Sequence, residues 1–549
     1  MELDPKTMRT TKPGLKPLIL TLIVPFSFIL CFPLLWKSVE IYRSPLPFRG
    51  IEAFSSQLDS EPLHFRCQFQ AMFLGFNFTA SNDVAEAIIN KMSLLNPNSL
   101  QCGNCGAYEV SVVIDSGSSC VRTQNSKAQC PFKCGEEVAF FGGKLSDEDV
   151  DDLLRGCLGN VDGGGNVYSV VVVNGGDKEA EVRAVVGKYR HAWILGRVLE
   201  EEALSRVAEI FAKVFMNGRS EGDLIRAEFM PVGADGRIVL SFSLLNAEPR
   251  DWIYDWNFRE IDETLLQPVI QSLQPIANIT VESQVLYHTQ MSSFSYWDEV
   301  LGSHISSTKD LPFFVNSNEW HLDTSVAAGG RSKLLQLVVY IPSAKECPLR
   351  LELPNGDLSN TNGFISPDIQ KLFGILMGQL RQLLGLKSDN LYVDQSGTYV
   401  LQGSEKGFTQ WELDILSRNH VCFNLYSCAA TLGSLSRLVQ SLPRMIITDE
   451  IGKKVMISLE AAKFAQSNAS AGIYDASAAS SRQARSLAED SFFHPSIMSI
   501  SYYSYWHSFI IYTPYFLLVM KPVIFPVLSE WKRYKQENMK FVAWKAKAK

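Results

Sequence analysis

Hydrophobic and polar positions change period several times along the 549 residues of the chain. Runs rich in β-branched residues predict strands at Tyr108–Ile114, Val167–Val173, Arg237–Leu244, Ile279–Tyr287 and Leu334–Ile341. Between them apolar residues recur at helical spacing. Leu204, Val207, Ile210, Phe211 and Val214 mark a helix over Leu199–Met216, and Ile369, Leu372, Phe373, Leu376, Leu380 and Leu383 mark another over Asp368–Leu384. Residues 37–408 therefore read as a mixed α/β domain, with no internal period of a solenoid. From Thr409 the pattern shifts. Thr409–Leu442 and Lys453–Ser491 are rich in Ala, Ser and Leu, punctuated by Pro443 and Asp449-Glu450-Ile451-Gly452, and predict a helical region over residues 409–504.

Both ends are apolar. Residues 17–36, from Pro17 to Trp36, hold no charge. As a helix they extend about 30 Å, enough to cross a bilayer core. No small-x-small cleavage site follows, so an uncleaved anchor is favoured over a signal peptide. Residues 505–528 form a second apolar stretch whose one charge is Lys521, placed where a long side chain can snorkel to an interface. Pro514, Pro522 and Pro526 are tolerated in such a span. The sequence thus predicts two transmembrane helices flanking a large α/β domain.

Charge supplies an orientation. Lys6, Arg9, Lys12 and Lys16 precede the first stretch, and residues 529–549 carry six Lys and one Arg. By the positive-inside rule both termini, residues 1–16 and 529–549, are expected in the cytosol and the body in the lumen. Setting aside the tails, Lys37 and Lys521, that body has 38 bases against 54 acids, a net charge near −16. This acidity excludes a nucleic-acid binder, which would carry a basic domain.

Lumenal placement makes Asn77, Asn278 and Asn468, each in an N-x-S/T triplet, candidates for glycosylation. It also leaves ten of the 11 cysteines on the oxidising side. Cys102 and Cys105, Cys130 and Cys134, with Cys120 between and Cys157 beyond, are candidates for disulfides. Four thiolates at such spacing also suit tetrahedral zinc, and Cys102-Gly-Asn-Cys105 has the form of a redox pair, although a strand rather than a helix follows it. At the carboxyl end, Lys545 and Lys547 match the dilysine pattern read for retrieval to the endoplasmic reticulum; a basic flank held to anionic lipid is the alternative.

No catalytic constellation emerges. Gly218-Arg219-Ser220-Glu221-Gly222 has the spacing of a nucleophile elbow but follows a helix, where that motif needs a strand. Gly163-Gly164-Gly165 precedes a strand and reads as a turn. Ser146-Asp147-Glu148-Asp149 with Asp151 and Asp152 caps a helix more simply than it holds a cation. The eight histidines are dispersed, and none forms an H-E-x-x-H motif. No cofactor is implied.

Several strings resemble one family in collinear order. They are Pro33–Phe48 after the first apolar stretch, Leu240-Ser-Phe-Ser-Leu-Leu-Asn246-Ala-Glu-Pro249, Ser283-Gln-Val-Leu-Tyr287, Val338-Val-Tyr340-Ile-Pro342 and Gln379-Leu-Arg381-Gln-Leu-Leu-Gly385. Phe492-Phe493-His494-Pro495 follows the Ala-rich helical pair. Together they resemble the PIG-S subunits of glycosylphosphatidylinositol (GPI) transamidase, in a plant-like form; the Cys102–Cys134 cluster lies outside the recognisable pattern.

The resemblance implies a non-catalytic subunit of an endoplasmic reticulum membrane complex. That complex replaces the C-terminal signal of proproteins with a preassembled GPI anchor, with its Cys/His chemistry in a separate subunit. Implied partners are PIG-K, PIG-T, PIG-U and the GPI anchor attachment subunit, and membrane lipid, with the GPI lipid as a candidate. No active-site residue carries over. The rival readings are a cargo receptor or other membrane adaptor outside GPI anchoring, and an independent lumenal enzyme.

Overall fold

The computed structural model describes residues 9–39, 43–60, 63–78, 80–95, 103–114, 146–158, 166–175, 182–218, 232–233, 236–251, 257–289, 295–307, 333–352, 369–387, 389–394, 397–442, 445–498 and 505–547. They divide into two units. One comprises residues 46–436 and 453–492, the other residues 1–45, 437–452 and 493–549.

In chain order the elements are α1 (Lys16–Val39), α2 (Phe48–Ser60), β1 (Arg66–Leu74), α3 (Ser81–Leu95), β2 (Ala107–Ile114), α4 (Asp147–Leu158), β3 (Val167–Asn174), β4 (Arg183–Val186) and β5 (His191–Gly196). Helix α5 (Glu200–Glu209) runs on into a π-helical stretch, Ile210–Met216. Then come β6 (Arg237–Asn246), α6 (Gln267–Leu273), β7 (Asn278–Tyr287), β8 (Tyr296–Asp298), β9 (Ser303–Ser307), β10 (Lys333–Ile341), β11 (Leu349–Glu352), α7 (Ile369–Leu383), β12 (Leu391–Asp394) and β13 (Gly397–Leu401). Four long helices close the chain: α8 (Gln410–Ser441), α9 (Asp449–Ser470), α10 (Tyr474–Phe492) and α11 (Tyr505–Lys547).

A seven-stranded sheet in the order β12-β13-β4-β5-β3-β1-β2 organises the larger unit. Strands β2, β1, β3 and β5 are mutually parallel, while β4 runs antiparallel to β5. Parallel strands are covered on both faces, which is why β3 reads as an almost unbroken apolar run, VYSVVVVN. The side chains alternate. Met72, Leu74 and Val171 pack with Val150 and Leu154 of α4. On the other face Phe69 meets Tyr168 at 5.5 Å and Phe211 of the π-helical stretch at 4.8 Å, and Tyr168 stacks on Phe215 at 5.2 Å. A second sheet, β10-β6-β7, is wholly parallel, and its residues Leu240, Leu244 and Ile279 pack with Leu376 and Leu380 of α7. The third is a small sheet, β11-β9-β8.

Helix α8 is buried on most sides, with Trp411, Leu416, Val421, Leu425, Leu432 and Leu435 inside, as a central helix requires. It starts in a capping box: Thr409 N–H donates to Glu412 Oε2 at 2.9 Å, and Glu412 N–H to Thr409 Oγ1 at 3.4 Å. The Ala- and Ser-rich composition downstream has a packing reason. Ser477, Ser481, Ala484, Ala488 and Ser491 of α10 are buried at alternating intervals of four and three residues. Small side chains let backbones approach, and the hydroxyls then bridge helices: Ser477 Oγ donates to Ala465 O and Ser458 Oγ to Ala484 O, both at 2.7 Å.

The expected strands and helices fall where the periodicity placed them, and the mixed α/β character stands. The two flanking transmembrane helices do not. Helices form at both places, as α1 and α11, but among the described residues no helix is long and apolar enough to cross a membrane. Pro25 and Pro33 break the apolar pattern within the continuous helix α1, and Pro514, Lys521, Pro522 and Pro526 break it within α11, which runs on through charged residues to Lys547. The expectation weighed apolar length and discounted these interruptions, and the two-span topology built on it loses its support.

A buried histidine ties the helical layer to pH. His420 of α8 is 2% exposed, and burial, reinforced by the charge of Arg485, pushes its pKa down to about 3 from 6.5. The unfolded chain therefore takes up a proton that the folded chain refuses. The contribution is intact above about pH 6.5 and is lost as pH falls toward 3, at up to ~1.4 kcal/mol per pH unit. Urea titrations of the wild type and His420→Gln should converge on acidification between those limits; parallel curves would refute the assignment.

Candidate functional site

In a sheet of this kind ligands bind beyond the carboxyl ends of the strands, where the chain order reverses. Strand β1 has β2 on one side and β3 on the other, so the reversal lies between β1 and β3. That crevice is closed. Gly75, at φ +75°, follows β1 so tightly that an added Cβ would lie 2.4 Å from Asn174 O. Asn174 Nδ2 donates to Gly75 O at 3.3 Å, and its Oδ1 accepts from Val198 N–H at 3.3 Å. Phe73, Phe76 and Phe78 pack together beside it, with ring centroids 5.2 to 5.6 Å apart.

The strongest concentration of buried polar chemistry lies at the opposite end of β1, against α8. Arg418 is fully buried. Its Nη1 donates toward Cys67 Sγ at 3.1 Å and Cys105 Sγ at 2.7 Å, the two sulfurs of one disulfide. Its Nη2 donates to Phe215 O at 2.9 Å and Met216 O at 3.0 Å, two of the carbonyls left open at the end of the π-helical stretch. The guanidinium lies 5.5 Å from the ring centroid of Tyr474 of α10, whose hydroxyl donates to Arg66 O at 2.7 Å. Nε has no hydrogen-bond partner. One side chain thus touches β1, the loop before β2, the π-helical end and α10. The loop fits because Gly103, at φ +96°, passes so close to α8 that a Cβ would meet Asn419 Oδ1 at 2.4 Å.

One turn earlier on α8, Asp414 is paired bidentately with Arg190, at 2.6 Å to Nε and 2.8 Å to Nη2. It also accepts from the Tyr168 hydroxyl at 3.0 Å. Burial first, then the Asp414 charge, holds Tyr168 well above its ordinary pKa. For Arg190, burial disfavours the charge, but the hydrogen bond and charge of Asp414 outweigh it and raise the pKa. Near the helix start, Arg381 of α7 binds Glu412 at 2.5 Å and the Gly407 and Lys387 carbonyls. Each of these buried charges is consumed in joining elements.

His191 and Asp151 have the outline of a catalytic dyad, with Nε2 2.7 Å from Oδ1, both buried. Asp151 Oδ2 also accepts from Lys188 N–H at 2.9 Å, so the pair fastens α4 to the β4–β5 connection. The acidic run before it behaves as a helix start. Ser146 Oγ donates to Asp149 Oδ2 at 2.6 Å, Asp147 pairs with Arg183, and Glu148 lies 3.4 Å from Lys188. A cleft of about 400 Å³ is lined by His64, Arg66, Ala107, Tyr108, Glu109 and Ser470, with Arg66 and Glu109 paired at 3.3 Å. Among the described residues no group of three His, Cys, Asp or Glu is placed to hold a metal ion.

The sequence candidates are dispersed. Asn77 is exposed just beyond β1, Asn278 is exposed at the first position of β7, and Asn468 is half-buried within α9. Cys102, Cys120, Cys130 and Cys134 lie outside the described residues, as do Ser220 and the Gly163–Gly165 run, while Cys157 lies on α4. Cys105 is bonded to Cys67 of β1, with Cα atoms 5.6 Å apart. Cys422 of α8 is also disulfide-bonded. Lys521, Lys545 and Lys547 are exposed on α11. Sequence reasoning missed Cys67, Asp414 and Arg418. The available signal was a pair of opposite charges one turn apart on an otherwise apolar helix face.

Fold and site define a class: a mixed α/β protein with an attached helical layer, built around a buried structural cation. Comparison with known proteins makes this particular. The family model described as phosphatidylinositol-glycan biosynthesis class S protein matches residues 22–369 and 367–537, so the chain belongs to the PIG-S family. It is 23% identical over 536 residues to a Bos taurus protein named GPI-anchor transamidase component PIGS, covering 90% of this chain and 91% of that one. The Homo sapiens protein of the same name is 24% identical over 544 residues, 92% of each chain. A Schizosaccharomyces pombe protein named GPI transamidase component PIG-S homolog is 24% identical over 310 residues, 55% of this chain and 54% of that one.

Removing the cation leaves two carbonyls without their partner and a void beside Tyr474. Arg418→Met should lower unfolding stability by about 3 kcal/mol, measured by urea denaturation of the oxidised chain. Arg418→Lys should recover little of it, because an ammonium cannot fork between carbonyls and sulfurs. Wild-type stability in the Met variant would show that the guanidinium is not structural.

Proposed function

We propose that this chain is a non-catalytic subunit of GPI transamidase, working in the endoplasmic reticulum on the replacement of C-terminal proprotein signals by a preassembled GPI anchor. The observation that carries the reading is the match of the PIG-S family model across residues 22–369 and 367–537, together with relatives named as transamidase components along nine-tenths of their length. The site chemistry is in keeping with it, since Arg418, Asp414 and Glu412 are engaged in holding elements together. In this reading the Cys/His chemistry resides in PIG-K. The body is lumenal and recognises that subunit, PIG-T, PIG-U and the GPI anchor attachment subunit, and membrane lipid, including the GPI lipid, lies within reach of the assembly.

Deleting the gene tests the proposal. A GPI-anchored reporter should accumulate with its C-terminal signal uncleaved, and the intact chain should restore anchoring. Normal anchoring in the deletion would refute the reading and favour an adaptor outside this reaction.

Lumenal residence makes a second expectation accessible. Asn77 and Asn278 are exposed, whereas Asn468 is half-buried in α9 and its carbonyl accepts from Ile473 N–H at 2.9 Å. On gels after glycosidase treatment, Asn77→Gln and Asn278→Gln should each remove one glycan and Asn468→Gln none. A shift confined to the Asn468 variant would contradict the lumenal exposure assigned to the other two.

A further inference from the structure

We propose that Cys67–Cys105 is a thiol–disulfide exchange site, reduced by a dithiol to a Cys67 thiol and a Cys105 thiolate held by Arg418. Both sulfurs are fully buried, and Arg418 Nη1 points at both, 2.7 Å from Cys105 Sγ and 3.1 Å from Cys67 Sγ. A neutral sulfur is a weak acceptor and requires no cation beside it. The guanidinium is otherwise poorly compensated. Its Nη2 meets two neutral carbonyls, and Nε has no hydrogen-bond partner. Asp414, one turn earlier on α8, is already paired with Arg190. A thiolate is the charged acceptor that this geometry suits.

The two sulfurs are not equivalent. Cys67 Sγ lies 3.2 Å from the Tyr474 hydroxyl, whose own proton goes to Arg66 O, so a Cys67 thiol can donate to that oxygen. Cys105 has the closer guanidinium and is the sulfur that ionises. Exchange then runs in two displacements. One thiolate of the dithiol, its proton given to solvent, attacks Cys67 Sγ, and the disulfide bond breaks with its electron pair going to Cys105. The second thiol displaces Cys67, which takes up that thiol's proton, and the dithiol leaves as its own disulfide. Loop closure favours the oxidised pair and Arg418 the reduced one, so the cation sets the balance. The inference rests on this buried site alone and is independent of the transamidase reading.

Among the described residues, the ionisable groups around the pair are Arg418 and Asp414 of α8, Tyr474 of α10, Tyr168 and Arg190 joined to Asp414, Tyr108 beside Cys67, and His64 beside Gly106. Burial holds all three tyrosines above their ordinary pKa, so none releases a proton near neutrality.

The test is a redox titration of the full chain in mixtures of reduced and oxidised dithiothreitol, from about pH 6 to 7.5, where the reagent's thiols stay protonated. Acid trapping, alkylation and peptide mass spectrometry read this cysteine pair apart from the others. The wild-type constant for reduction should rise about tenfold per pH unit, because one proton is released. His64→Gln should keep this slope. Arg418→Met should abolish it and lower the constant at the alkaline end by on the order of 100-fold. Circular dichroism checks the fold of the Met variant; where that is lost, the wild-type slope decides alone. A wild-type constant that does not change with pH would overturn the proposal. So would a folded Met variant that keeps the slope, or loss of the slope in His64→Gln.

Discussion

Burying the Arg418 guanidinium constrains everything packed around it. A cation removed from water is tolerable only where donors find acceptors, and here the acceptors come from distant parts of the chain: the end of the π-helical stretch and the Cys67–Cys105 disulfide. The disulfide closes a loop of 38 residues, which by loop entropy alone stabilises by roughly 4 kcal/mol. Its further effect is positional. It fixes the loop before β2 beside β1 and leaves both sulfurs facing α8, so that sheet and helical layer share one polar junction.

The neighbouring ion pairs extend the same arrangement. Asp414 reaches Arg190 of the β4–β5 connection and Tyr168 of β3, and Glu412 reaches Arg381 of α7 while capping its own helix. Within eight residues of its start, α8 is thus fastened to both the seven-stranded sheet and the α7 layer. Such buried pairs are poor sources of net stability compared with apolar contacts, but each is costly to break singly, which makes the assembled arrangement specific.

Much of the architecture was legible. The β-branched runs that became β3 and β6 are almost wholly buried, whereas those that became β7 and β10 are mostly half-buried. The helical spacing of α7 and the Ala- and Ser-rich composition of α10 were equally plain. Strand β1 was harder, because Gln68 and Gln70 interrupt its apolar run, although it lies between β3 and β2 within the sheet. Sheet order and register depend on pairings between distant segments, which no local pattern encodes. The π-helical continuation of α5 has helical periodicity at its start and reads as one α-helix.

The site was legible only in part. Close cysteine spacing suggested local pairs, whereas Cys105 bonds to Cys67, which lies on a buried strand and looks like a core residue. Apolar length at the two ends suggested spans, and the prolines and charges within α1 and α11 weigh against that. The family, by contrast, was readable from short collinear strings, because a shared fold preserves them in order even where identity falls to 23%.

The claim on which the account turns is that β1, the π-helical end and the first half of α8 open as one unit about Arg418. Native-state hydrogen exchange of the oxidised, full-length chain measures this directly. The amides of Phe69 to Phe73 and of Val421 to Leu425 should exchange with a common opening free energy, lowered together in Arg418→Met. Exchange of the α8 amides well ahead of β1, at a separate and lower free energy, would contradict it.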